Sequence, residues 1–352
     1  MRTTPRSKSL FTAWLFLGAA ACGGAGETAT TPPAEVSDAS TTGDASTTGD
    51  ATAASDAGTT SDAGPLPPVT CAFEIAASGA KLCAIDPTKT TPGVTDTFGF
   101  HAVGFPATVT ADTPVYVHFV GTGGDPAKPA TQTFPNQLLM EELTALGALV
   151  LLPAYDNEPS VGALCKQDLD CYEPVRDEIL FGDDAPAPYT SMKDVKKPND
   201  ALSRIAALVD ALHRSGMLGA TPPAALAGGK LDWSKARVGG HSQGGGHAGL
   251  IAKRFAVERV CFLSSPIDGA PDGAGGGLPV PWTAGVWATD VSRRRAAVHE
   301  DDPGFAKAAA NLAAMTMVED THWRRLRFAT ADPHASTVKD PAAAPVRRAC
   351  VL

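Results

Sequence analysis

Between positions 236 and 249 the chain reads ARVGGHSQGGGHAG, and six of these fourteen residues are glycine. Glycine is costly to order on folding, so such density marks a place where the backbone turns sharply or is approached closely. Two templates overlap here. Gly240-His241-Ser242-Gln243-Gly244 is G-x-S-x-G, which puts a serine at a tight strand-to-helix turn, while Gly244–Gly249 is G-x-G-x-x-G, which can cradle a phosphate at a helix N-terminus. The two make different demands on the rest of the chain. The first needs an acid and a base on other loops; the second needs the glycines to open their domain.

The order of elements favours the first. Thr113–Val120, Ala148–Pro153, Ala236–Gly240, Arg259–Ser264, Arg295–His299 and Leu326–Thr330 are short, mostly apolar runs bounded by Gly, Pro, Asp or Ser. Helical patterns lie between them. Asn136–Leu146 carries a leucine-rich stripe, and Ala201–Arg214 repeats Leu202, Ile205, Ala206, Val209 and Leu212 at three- and four-residue steps, with Asn199 or Asp200 as cap and Gly216 as stop. This alternation predicts an α/β fold with a mostly parallel central sheet and helices on both faces, preceded by partly antiparallel strands within residues 71–112.

In such sheets function gathers beyond the carboxyl ends of the strands. The loops there hold GTGGDP after the first run, HSQGGG after the third, EDDPGF after the fifth and ADPHAS after the sixth. Backbone donors, a serine, a pair of carboxylates and a histidine are the parts of an acyl-transfer site. With its strand–GxSxG–helix context and the chain order serine, acid, histidine, the sequence resembles the α/β-hydrolase superfamily over most of residues 105–340, and it is similar to exported bacterial hydrolases with a GHSQGG elbow.

The resemblance implies a serine hydrolase that cleaves a small carboxylic ester through an acyl-enzyme. Ser242 is then the nucleophile, His334 the base and Asp302 the acid, with Asp301 and Asp268 as alternatives; Asp302 stands three residues past His299, the spacing usual in related hydrolases. The oxyanion hole takes backbone N–H groups from Gln243 and from Thr122, with Gly123 as second choice, and because only the backbone is needed the Gln243 side chain reads as dispensable. Neither metal nor cofactor is required. An amidase or peptidase would use the same triad, and a non-catalytic binding lipoprotein could sit on the same scaffold.

The phosphate template explains less. Asp268 lies 24 residues past Gly244, near the distance of a ribose-binding acid, yet the glycines fall mid-domain and leave His334 and GTGG without a role. Other histidines read as structural: His241 as a neighbour of the serine, His247 as a packed helix residue, His118 as a core position, with His299 a competitor for the base. Trp282 and Trp287, in the glycine- and proline-rich stretch 266–291, read as packing rather than as a substrate wall.

The N-terminus bears on where the chemistry occurs. Arg2, Arg6 and Lys8 precede an apolar run from Leu10 to Ala21, the layout of a signal peptide over residues 1–21. As a helix that run rises only about 18 Å, short of a bilayer core of about 30 Å. The following LGAAAC-Gly23-Gly24 resembles a lipoprotein signal, which implies acylation of Cys22 and anchoring at an outer membrane or cell surface; ordinary secretion or periplasmic release is the alternative. Residues 27–70 repeat Asp every six residues among Thr, Ala, Ser and Gly, with seven acids and no base, and read as a disordered tether of roughly 35–40 Å r.m.s. span. The net charge of −9 leaves no basic surface for nucleic acid.

Residues 71–352 remain as one domain. Its six cysteines suit an oxidising compartment. Sequence proximity pairs Cys71 with Cys83 and Cys165 with Cys171, leaving Cys261 for Cys350. Some forty residues after Pro153, containing Cys165 and Cys171, exceed an ordinary connection and form a disulfide-stapled insertion, either a cap over the pocket or a surface decoration, with a short helix expected to start at Arg176.

Overall fold

The computed structural model describes residues 66–352 apart from 78 and 191. The signal segment, Cys22 and most of the tether lie outside the described residues. Within them the strands are β1 (Phe73–Ala77), β2 (Ala80–Ile85), β3 (His101–Phe105), β4 (Val115–Phe119), β5 (Leu149–Leu152), β6 (Ala236–His241), β7 (Arg259–Leu263), the short pair β8 (Ala270–Pro271) and β9 (Gly277–Leu278), β10 (Arg294–His299) and β11 (Trp323–Leu326). The helices are α1 (Pro87–Thr90), α2 (Gln137–Ala145), α3 (Val161–Cys165), α4 (Tyr172–Phe181), α5 (Ala201–Arg214), α6 (Gln243–Arg254), α7 (Phe305–Ala314), α8 (Ser336–Lys339) and α9 (Ala344–Val351).

Nine strands form one sheet in the order β1-β2-β3-β5-β4-β6-β7-β10-β11. From β5 to β11 neighbours run parallel, while β1, β2 and β3 pair antiparallel and β3 joins β5 antiparallel. This is the α/β-hydrolase fold that the sequence predicts. Every residue of β4 and β5 is buried, as continuous apolar runs such as VYVHF and LVLL require when helices cover both faces. From β4 the chain steps one way to β5 and then crosses back to β6 on the other side. The order therefore reverses at β4, and the crevice beyond its carboxyl end is the topological switch point where such sheets place their sites.

Local chemistry accounts for the boundaries. Asp200 caps α5, its carboxylate accepting from Ser203 N–H at 2.9 Å, and the chain leaves that helix through Gly216 at φ +66°. One expected strand is displaced. Of the run Leu326–Thr330 only Leu326 is in a strand, and that strand is Trp323–Leu326, in register with β10 from Ala296↔Trp323 to His299↔Leu326. As an edge strand with one wet face, it buries Trp323 and Leu326 and turns Arg324 outward, so its sequence lacks the apolar run that marks a central strand.

The three disulfides are Cys71–Cys83, Cys165–Cys171 and Cys261–Cys350, the pairing that proximity and elimination give. The last ties α9 to β7. The helix expected at Arg176 begins four residues earlier, at Tyr172, because Cys171 brings the chain into helical conformation at its disulfide; Arg176 is an interior, buried residue of it.

Candidate active site

Ser242 joins β6 to α6. Serine ahead of a helix ordinarily caps it, its hydroxyl accepting from the second or third N–H. Here the backbone stands at φ +56°, ψ −126°, and the hydroxyl makes no capping bond. A non-glycine residue in that region is strained, and strain of this kind persists only where the surroundings fix it. They do: Ser242 N–H donates to Leu263 O on β7 at 3.1 Å, and Ser242 O accepts from Ser265 Oγ at 2.8 Å and Gly245 N–H at 3.1 Å.

The glycines around it are explained by what they touch. A Cβ on Gly240 would overlap the backbone of Gly244, and one on Gly244 would overlap the carbonyls of Phe119 and Val120 at the end of β4. At Gly245 it would strike the Ser265 side chain, and at Gly246 the guanidinium of Arg176. G-x-S-x-G is thus a close approach of one backbone turn to the neighbouring strand. Of the glycines that complete G-x-G-x-x-G, Gly244 meets these carbonyls while Gly246 and Gly249 face protein side chains, which leaves no cradle for a phosphate.

On the next loops the histidine and an acid meet. His334 Nδ1–H donates to Asp302 Oδ2 at 2.9 Å, and Asp302 Oδ1 accepts from Gly304 N–H at 2.7 Å. Burial of the Asp302 carboxyl opposes its charge, but the His334 hydrogen bond and charge, the Gly304 amide and the Ser264 hydroxyl outweigh it and hold the group below the usual carboxylate range. The two alternative acids are elsewhere. Asp301 is largely exposed and turned toward His299, and Asp268 is buried against Arg176. His299, the competing base, donates from Nε2 to Phe328 O and accepts the Asp301 N–H at Nδ1, so both ring nitrogens are engaged with backbone.

His241 packs its ring 4.8 Å, centroid to centroid, from that of His334 and donates from Nε2 to the His334 carbonyl at 2.9 Å. Burial, and then the charge His334 can carry, lower its pKa to about 4, so it stays neutral and keeps Nε2–H for that carbonyl. Among the described residues no hydrogen bond links Ser242 Oγ to His334. Bonds of this kind are commonly open in unliganded enzymes and tighten when substrate is bound.

The loop after β4 lies over Ser242: a Cβ on Gly121 would come within 3.2 Å of Ser242 Cβ. Neither Thr122 N–H nor Gln243 N–H has an acceptor among the described residues, which leaves both free for an anionic oxygen. The loop is held by side chains that follow β5. Tyr155 donates its hydroxyl to Val120 O at 2.6 Å, and Asn157 Nδ2 donates to Gly124 O at 2.7 Å.

Sequence reasoning missed the Gln243 side chain, which is not idle. It is buried; its Oε1 accepts from Val161 N–H at 2.7 Å and Thr122 Oγ1 at 3.2 Å, and its Nε2 donates to Asn157 O at 3.1 Å. The polar run Tyr155-Asp156-Asn157 directly after a buried strand was the available signal. Arg176 was also missed, because Arg-Asp-Glu reads as a solvated helix start.

The remaining positions are structural. His118 is buried and hydrogen-bonded to Tyr116, while His247 packs edge-on to Tyr155. Trp282 and Trp287 are buried, as packing requires. A cavity of about 720 Å³ opens near Phe105 at the opposite end of the sheet, and no Ser, Cys, His, Asp or Glu is in its lining. Among the described residues no three His, Cys, Asp or Glu side chains gather to hold a metal ion.

No family model matches the chain, and no curated protein is significantly similar to it. Solved structures similar to it include esterase B from Lactobacillus rhamnosis with a tributyrin phosphonate, at 15% identity over 79% of this chain and 86% of that one, with a TM-score of 0.44. An S-formylglutathione hydrolase from Agrobacterium tumefaciens is similar at 12% identity over 79% and 99%, with a TM-score of 0.45. A thermostable carboxylesterase cloned from a metagenomic library is similar at 15% identity over 80% and 92%, with a TM-score of 0.41.

Proposed function

We propose that the protein is an exported serine hydrolase that cleaves small carboxylic esters through an acyl-enzyme on Ser242. The observation that carries the reading is what gathers at one rim of the sheet: a strained serine on an elbow, a histidine bonded at 2.9 Å to a buried carboxylate and by its carbonyl to the His241 ring beside that serine, and two backbone N–H groups with no acceptor among the described residues. His334 takes the Ser242 proton as Oγ attacks the ester carbonyl and then gives it to the leaving alcohol. Asp302 fixes the imidazole tautomer with Nδ1–H toward itself, leaving Nε2 to work. Gln243 and Thr122 N–H groups stabilise the oxyanion, and water, deprotonated by His334, releases the acid.

The same reading includes a lipid anchor at Cys22. Mass spectrometry of the mature N-terminus tests this; a chain that starts beyond Cys22 without acyl groups sinks it. For the chemistry, a fluorophosphonate probe labels the wild type and not Ser242→Ala, and nitrophenyl esters of increasing acyl length give the substrate size. A folded wild type that takes up no probe favours a binding protein on this scaffold instead.

A further inference from the structure

The insertion after β5 grips the elbow at a single residue from several sides. Val161 N–H, at the start of α3, and Asn157 O hold the Gln243 side chain, while Arg176, on α4, donates from NH1 to the Gln243 backbone carbonyl at 3.0 Å. The Cys165–Cys171 disulfide joins the end of α3 to the cap of α4 and so ties together the two segments that carry these grips.

The arginine is itself held. Its side chain is 1% exposed; Nε donates to Asp268 Oδ2 at 2.8 Å, NH2 donates to Asp268 Oδ1, and Trp282 Nε1 donates to Asp268 Oδ2 at 3.0 Å. Removing both charges of an ion pair from water costs several kcal/mol per ion, and surface decoration does not require it. Gly246 supplies the room, since any side chain there would occupy the place of the guanidinium.

Gln243 needs such support. As the first residue of α6 it has an N–H with no intrahelical acceptor, and helix ends fray. The N–H must nonetheless stand within a few tenths of an ångström of where the substrate oxygen becomes charged.

We propose that the α3–α4 insertion is a buttress for the oxyanion hole and that Arg176 is its positioning residue, holding the Gln243–Gly244 peptide by its carbonyl and so fixing the residue whose N–H opens the helix. This rests on the reading of Ser242 as the nucleophile. Arg176 touches no substrate; it acts through Gln243.

The test pairs ester kinetics with the affinity of an alkyl boronic acid, which binds as a tetrahedral adduct of the serine and so reads the oxyanion hole directly. Replacing both charges together, Arg176→Met with Asp268→Leu, avoids stranding a buried carboxylate. It lowers kcat about 10- to 100-fold and boronate affinity by the same factor, with KM within about threefold, a fraction of the loss of a whole oxyanion donor. Arg176→Lys recovers part of both.

A second variant, Cys165→Ser with Cys171→Ser, keeps Arg176 and loosens the unit that carries it; kcat and boronate affinity fall together by about threefold or more. The proposal is overturned by a folded double-charge variant whose kcat and boronate affinity stay within twofold of wild type, or by a loss confined to KM. If that variant does not fold, the disulfide variant decides by the same two readouts. A wild type that turns over no ester and binds no boronate removes the nucleophile reading, and the buttress falls with it.

Discussion

The elbow, residues 239–246, and the insertion, residues 154–200, meet at Gln243, yet they constrain the chain in opposite ways. The elbow is compact in sequence: eight residues carry the glycines that let β6, α6 and β4 come into backbone contact. The insertion is held at long range by a few buried polar groups, Asn157, Arg176 and Lys193, each satisfied by a partner in another element or further along the insertion. A site is therefore made by one region and kept in place by the other, and only the first leaves a short motif.

The sharpest break of that comparison is Ser242→Ala. Removing a triad nucleophile lowers kcat by about 10⁶-fold, which steady-state ester hydrolysis reads; retention of activity would move the chemistry off the elbow altogether. Next comes Asp302→Asn, expected to lower kcat about 10⁴-fold by presenting the wrong histidine tautomer, while Asp301→Asn stays within about twofold. Equal effects at both positions would erase the distinction between the buried acid and the exposed one.

Gly246→Ala tests the contact between the regions. Its methyl group displaces the Arg176 guanidinium, with an expected destabilisation of about 1–3 kcal/mol by urea unfolding and a parallel drop in kcat. An unaffected variant would mean that the guanidinium moves aside without consequence.

The smallest effects are in pH, and here the two regions answer with opposite sign. Burial lowers His241, in the elbow, to about 4, so the unfolded chain takes up the proton first and this contribution is lost as pH falls from about 6.5 toward 4. Burial raises Asp177, in the insertion, to about 6 despite the Arg254 charge, so its contribution is present below about 4 and lost as pH rises through 6. Each spans at most about 3 kcal/mol, less where water reaches the group. Relative to His241→Asn the wild-type Tm drops on acidification; relative to Asp177→Asn it drops as pH rises. Parallel curves for either pair would remove the assigned cause.

The same contrast explains what could be read before folding. Ser242, Gly240 and Gly244 were legible because the pattern that marks them spans five residues, even though the carbonyls that exclude a side chain at Gly244 lie on β4, and Asp302, the acid that His334 meets, followed from a fixed spacing after His299. Gly245 and Gly246 were not, since their reasons are Ser265 and Arg176, twenty and seventy residues away. Arg176 looked like surface because one residue type serves solvated faces and buried pairs alike, and only its partner tells them apart. The edge strand at Trp323 was hidden by its two arginines. The Gln243 side chain seemed spare because catalysis asks only for its N–H, whereas holding that N–H asks for the rest.

The Cys261–Cys350 bond has a consequence for an exposed protein. It closes a ring across a sequence separation of 89 on β7, the strand beside β6, which leads into Ser242, and the ring contains both Asp302 and His334. In the chain-entropy picture so large a ring restricts the unfolded ensemble by about 4–5 kcal/mol. A protease that nicks the glycine-rich stretch near Gly273 cuts the polypeptide once, but the fragment bearing Asp302 and His334 stays fastened to the fragment bearing Ser242. Damage that would scatter the parts of an unbridged chain leaves these three residues on one molecule.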